Sequence, residues 1–368
     1  MLLHLLCSIS LLAPSPPHLK LIKVITGGIS PKSIVASGTG LFFAQNMMYT
    51  HKITVYDRKF KLVKTISDKV DLSKLGQKSY TGKFQGSPVE CAFTPDGSEA
   101  WVSNYQMYGK GFNHPGFDKA EDTGKYDPSF LYRIDTSKLN ITAAIKVGSV
   151  PKYVCVTPDA KHILVTNWAS YDMSVVDPKQ DIEIKRVKLG RFPRGIVVDA
   201  KSENAYVALL GGSDLADVRL KDYKVSWIKG VGLSPRHLCL DPGGQYVYAS
   251  LNGEGRVAKV DLWKRKLVKK TETGSQPRSM VLTPDGFLYV VNYVSNSVSQ
   301  IRTSDMKVTN KVGTNLHPIG ITYDALTHQV WVCCYSGSVM VFQEAKPVSS
   351  FPNGVPKGKD EKMPLGVR

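Results

Sequence analysis

The chain predicts an all-β fold: a seven-bladed β-propeller with four-stranded antiparallel blades. Three observations predict it. A unit made of a short apolar strand, a tight turn, a second apolar strand and an Asn, clearest in Gln276–Tyr293, recurs along the sequence. The prolines that open its copies are Pro31, Pro88, Pro151, Pro193, Pro235, Pro277 and Pro318, spaced by 57, 63, 42, 42, 42 and 41 residues. A period near 42 with several strands per unit marks a propeller blade. Finally, the last copy supplies only three strands, Ile319–Tyr323, Gln329–Cys334 and Ser338–Gln343, while His18–Thr26 is a strand without a local partner. Pairing that strand onto the last blade closes the ring and removes both exposed edges.

Met1 to Pro17 is Leu-rich from Leu2 to Leu12 and ends in a Pro/Ser break, like the apolar region of an export signal. Cys7 stands where a lipoprotein cleavage site would place it, but Leu6 before it fits that signal poorly. An exported protein (periplasmic, cell-surface or secreted) is the expectation. No other stretch approaches the ~18 apolar residues of a membrane helix. Residues 18–345 read as one propeller, and the Pro-, Gly- and Lys-rich residues 346–368 as an unstructured tail.

Within a blade the four strands are clearest at Arg278–Leu282, Phe287–Val291, Ser297–Arg302 and Lys307–Val312. Thr94–Gly97, Thr157–Ala160, Asp241–Gly244 and Thr283–Gly286 turn the first strand into the second, with Pro presetting one dihedral and Asp binding its own backbone. Asn46, Asn104, Asn167 and Asn292 close the second strand, where an amide can satisfy loop backbone.

Trp101–Tyr105, Val165–Trp168 and Tyr289–Tyr293, each followed by a third strand such as Met173–Asp177, resemble the YVTN β-propeller repeat. The resemblance covers roughly residues 18–345, although the fourth and fifth copies, Tyr206–Leu210 and Tyr248–Leu251, lack the Asn. It implies a YncE-like propeller of a kind found in exported bacterial and archaeal proteins. It also implies kinship with seven-bladed sugar-acid lactonases and quinoprotein-like electron carriers, among which fold alone does not choose.

Departures from the repeat are where function is expected. One insertion, about 68–85, precedes the inner strand of blade two; another, about 106–129, follows its second strand. Propeller geometry puts both over one rim of the channel. Tyr105, Tyr108, Phe112, His114 and Phe117 are the candidate contacts there. Asp118, Glu121, Asp122 and Asp127 offer oxygen atoms to a cation but no EF-hand spacing, so a packed aromatic lid is expected, with no metal and no cofactor.

The residues after the seven prolines are Lys32, Val89, Lys152, Arg194, Arg236, Arg278 and Ile319. Five are cationic, and ring symmetry gathers them at the channel mouth. His237 and His317 flank them, and Glu90 neutralises part of the charge. Five like charges repel unless an anion or acidic side chains complete the ring. The whole chain carries +17, which favours anionic partners.

Six cysteines show no metal-site spacing and read as core residues. Nucleophile elbows, HExxH, phosphate-binding loops and dinucleotide fingerprints are all absent. The scarcity of acid/base pairs favours binding over catalysis. The expected function is therefore a monomeric, non-enzymatic binding or scaffold propeller, holding an anionic small molecule, a polysaccharide or a protein. The alternatives are lactone hydrolysis, with Glu90, His237 or His317 moving protons, and nucleic-acid binding through the basic surface.

Overall fold

A computed structural model describes residues 18–116 and 126–345. The leader with Cys7, the segment holding Phe117, Asp118, Glu121 and Asp122, and the tail lie outside the described residues. Seven four-stranded antiparallel sheets form the ring. Blade 1 is Ser33–Ala36, Leu41–Asn46, Lys52–Asp57 and Leu62–Ser67; blade 2 is Pro88–Phe93, Glu99–Asn104, Phe130–Asp135 and Asn140–Lys146. Blade 7 takes Pro318–Asp324, Gln329–Cys334 and Ser338–Ala345 from the C-terminal side and His18–Ile25 from the N-terminal side. That last pairing runs antiparallel from His18 opposite Ala345 to Ile25 opposite Val339. The closure expected from the missing and spare strands is therefore present.

Burial explains the strand sequences. Second strands are covered on both faces by neighbouring blades, so Ile163–Asn167 and Phe287–Asn292 are buried throughout. Outer strands such as Ile182–Lys188 face solvent on most positions and carry Lys and Arg. At the closing seam Trp331 is fully buried and stacks on Phe42 with ring centroids 3.9 Å apart. Arg58 of blade 1 grips the Asp324 carboxylate with Nε at 2.8 Å and Nη2 at 3.0 Å. The described cysteines form no disulfide: Cys91, Cys333 and Cys334 are buried, and Cys155 and Cys239 partly so.

At Asn104, Asn167 and Asn292 the repeated Asn and the glycine of the loop entering its blade fit one another. Asn167 Nδ2 donates to Asp172 and Ser174 at the start of the third strand, both at 2.8 Å. Asn292 does the same with Ser297 and Ser299. A Cβ at Gly148 or Gly274 would lie 2.5 or 2.6 Å from that amide, so only glycine lets the incoming loop pass.

Candidate functional site: the insertion-bearing channel mouth

The two insertions pack together. The first makes a ribbon, Lys69–Asp71 paired with Lys83–Gln85, around a single 3-10 turn, Leu72–Leu75. Gln85 and Tyr108 exchange backbone hydrogen bonds of 3.0 and 2.7 Å, tying the second insertion to it. Phe112 stacks on Tyr80 at 5.6 Å and edges Phe84 at 5.7 Å. Phe112 therefore serves the small core between the insertions, and His114 is exposed with its N–H bonded to Asp127.

A recurrent clip builds the mouth. In six of the seven blades the carbonyl of the residue before the repeat proline accepts the N–H of the residue just after the second strand. These bonds are Tyr105 to Ser87 (2.7 Å), Trp168 to Val150 (2.9 Å), Tyr293 to Gln276 (3.1 Å) and Tyr335 to His317 (3.0 Å), and Leu210 and Asn252 repeat them in blades 4 and 5. Val150, Gln276 and His317 take left-handed backbone, φ 53°, 52° and 58°, a costly conformation before proline that the clip sustains. The clip holds an aromatic collar of Tyr105, Trp168, Tyr293 and Tyr335, and two of the post-proline cations lie against its rings. Lys152 Nζ lies 4.1 Å from the centre of Tyr105 and 5.5 Å from that of Trp168, and Arg278 Cζ sits 3.4 Å over Tyr293.

Blade 1 lacks the clip. Met47 turns its N–H back to the Gln45 carbonyl at 3.2 Å, and Tyr49 and His51 adopt positive φ. The collar opens there into a cleft of about 780 Å³, walled by Met47, Met48, His51, Tyr105, Tyr126 and Tyr335. Tyr108 also lines it, His51 Nδ1 has no partner, and Tyr49 stands 86% exposed at its edge.

Below the collar, the residues two after the prolines line a channel cavity of about 170 Å³, among them Ser33, Glu90, Tyr153, His237 and Ser279. Lys32 Nζ bonds Glu90 at 3.0 Å, with both side chains almost wholly buried. Burial, with Arg194 and Arg236 nearby, overrides Glu90 and lowers Lys32 to about 8. His237 Nε2 meets the Tyr153 hydroxyl at 2.9 Å, while Nδ1 has no partner. Burial, Arg194, Arg236 and Lys32 lower His237 to about 3. Arg194 is only 6% exposed, and among the described residues no group accepts a hydrogen bond from its guanidinium.

The predicted site residues thus fall into separate settings. Lys32, Glu90, Arg194, Arg236 and His237 share the channel; Lys152 and Arg278 sit under collar aromatics; His317 stacks on Tyr293 at 4.5 Å outside it. Tyr105 and Tyr108 line the cleft. Sequence reasoning missed Tyr153, Met47, Met48 and Tyr335. Their signal was positional: the second residue after Pro, and the residues after the second strand.

Fold and mouth together define a seven-bladed propeller whose channel is capped by aromatics over cations. Residues 131–301 match the family model described as the YncE-like β-propeller, in keeping with the resemblance carried by the YVTN-like repeats. Among solved structures, a chain of Kuenenia stuttgartiensis hydrazine synthase is similar, with a TM-score of 0.68 and 15% identity over 88% of this chain and 98% of that chain. At that identity the likeness is one of fold. No match was found among proteins of curated function.

Proposed function

We propose that this protein is a non-enzymatic binding propeller that uses its insertion-bearing, cation-lined channel face to hold an anionic ligand, free or displayed on a protein partner. Arg194 carries the reading. Its side chain is almost wholly covered beside Lys32 and Arg236, and no described group accepts a hydrogen bond from its guanidinium, so an anion entering the channel would supply a charge-assisted partner. His237 Nδ1 offers a further unpartnered group in the same channel among the described residues. Binding is favoured over lactone hydrolysis because Glu90 is already paired with Lys32, and His237 is held neutral with one nitrogen tied to Tyr153. Export belongs to the same proposal and rests on the Leu-rich stretch of residues 1–17; a reporter fused to those residues and retained in the cytoplasm would remove it.

The test is thermal unfolding with sodium phosphate or sulfate against chloride at equal ionic strength. Wild type should gain a few degrees in Tm as the oxyanion saturates the folded state. Arg194→Met should be more stable than wild type without the anion, by about 1–4 kcal/mol, and should lose the oxyanion response. An unresponsive wild type, or an Arg194→Met variant that keeps the full shift, rules the reading out. Turnover of a lactone panel would replace it with the hydrolase.

A further inference from the structure

The cleft over blade 1 is a cavity apart from the channel, and the two linings share no described residue. Its wall comes from three places. The unclipped turn of blade 1 supplies Met47, Met48 and Tyr49; blade 2 with its second insertion supplies Tyr105, Tyr108 and Tyr126; blade 7 supplies Tyr335. Five tyrosines and two thioethers thus border about 780 Å³. That is within the ~300–1,000 Å³ common for small-molecule sites.

The charge of the wall decides the ligand. Among the described residues that line the cleft there is no Lys, Arg, Asp or Glu. His51 also lines it, and burial lowers that ring below its ordinary value, so it is neutral at neutral pH. The surface left to a ligand is electron-rich: tyrosine faces carry the negative side of the aromatic quadrupole, and the sulfurs of Met47 and Met48 are soft and polarisable. An anion would meet that surface with no charged donor on the wall. A primary ammonium would shed a tight water shell with no carboxylate to replace it. A quaternary ammonium has no N–H to satisfy and holds its water weakly, and aromatic faces attract it more strongly where water is excluded. Lys152 lies 4.1 Å from the centre of Tyr105 and is not on the wall, so the reading rests on the other four rings.

We infer that the blade-1 cleft is a binding site for small quaternary ammonium compounds, the methylated nitrogen held among Tyr49, Tyr108, Tyr126 and Tyr335 with Met47 and Met48 beside it. This goes beyond the anion reading above and does not depend on it. The thioethers and Tyr49 come from the one turn that departs from the clip. There the Met47 N–H folds back to the Gln45 carbonyl at 3.2 Å, the Thr50 N–H bonds the Met48 carbonyl at 2.7 Å, and Tyr49 takes left-handed backbone at φ 63°.

Titration calorimetry with four probes tests it: choline, its uncharged carbon isostere 3,3-dimethylbutan-1-ol, the primary ammonium ethanolamine, and inorganic phosphate. Choline should bind at least about fivefold more tightly than the alcohol or ethanolamine, the worth of a desolvated contact between a cation and a ring. Tyr126→Leu should lower the ratio of choline to alcohol affinity, and Tyr126→Phe, which keeps the ring face, should preserve it. Melting curves establish that both variants are folded, and Tyr49→Leu repeats the comparison at a side chain 86% exposed, where folding is not at stake. No choline binding, equal binding of choline and the alcohol, ethanolamine matching choline, or a ratio unchanged in both leucine variants would overturn the proposal. Arg194→Met should abolish phosphate binding and leave choline binding in place, so either reading can fail while the other stands.

Discussion

At the scale of single residues, Asp68 makes the sharpest statement. It is fully buried, and neither carboxylate oxygen has a partner. Asn104 Oδ1, also unpartnered, lies beside it: a Cβ on Gly86 would be 2.2 Å from Asp68 Oδ2 and 2.3 Å from Asn104 Oδ1. Two acceptors sit together comfortably when one carries a proton, and burial pushes the Asp68 carboxyl well above its ordinary value. Because the folded state binds that proton more tightly, the stability it contributes is present in acid and is lost as pH rises from the ordinary carboxylate range toward the raised folded value. Asp68→Asn should therefore stabilise the protein at neutral pH, with the gain vanishing below about pH 4. Urea melts across pH would show it, and a pH-independent difference would contradict it. Lys32 and His237 shift the other way, downward to about 8 and about 3. Each makes stability rise with pH, His237 from about 3 to its ordinary 6.5 and Lys32 from about 8 to 10.5. An anion in the channel would raise both values, so the phosphate-induced Tm shift should shrink as pH climbs through 8. None of these three environments is legible in sequence, because burial depends on what folds over a residue.

At the scale of elements, the closing strand and the clip do different work. His18–Ile25 covers the edge of Ser338–Ala345 and completes blade 7. Starting the chain at Thr26 leaves a full row of unpaired backbone groups on an apolar strand, an invitation to pair with another copy. Size-exclusion chromatography with light scattering should show oligomers and a lowered Tm; an unchanged monomer would mean the strand is dispensable. At the same seam Trp331→Ala should cost about 3–5 kcal/mol, since its ring is fully buried on Phe42. Strand bounds were readable to within about two residues, since turn chemistry and alternation are local. The pairing of the two insertions at Gln85 and Tyr108, and the diversion of Phe112 into a small core, were not readable, since no local pattern specifies which loop an aromatic will meet.

For the whole molecule, the net charge of +17 has two parts with different consequences. Outer strands carry exposed lysines such as Lys185, Lys188, Lys266 and Lys269, which guard edges and lend the ring a basic girdle. The channel cations are few and sheltered. The girdle should bind a polyanion such as heparin weakly and with steep salt dependence through counterion release. Lys185→Glu combined with Lys266→Glu should lower the salt needed to elute the protein from heparin while leaving the phosphate-induced Tm shift in place. Loss of that shift in the double variant would mean that the oxyanion acts at the surface and not in the channel.

By itself the sequence determined the period, the blade count and the strand that closes the ring. All of these follow from spacing, and a ring of equal repeats converts spacing directly into position. Only the tertiary structure decided what the cations after the repeat prolines meet: Glu90 for Lys32, collar aromatics for Lys152 and Arg278, and among the described residues no hydrogen-bond acceptor for Arg194. Symmetry places side chains at one height, but pairing is set by distances of a few ångströms between blades. In blade 1 the unclipped turn places Met47, Met48, Tyr49 and His51 along a cleft.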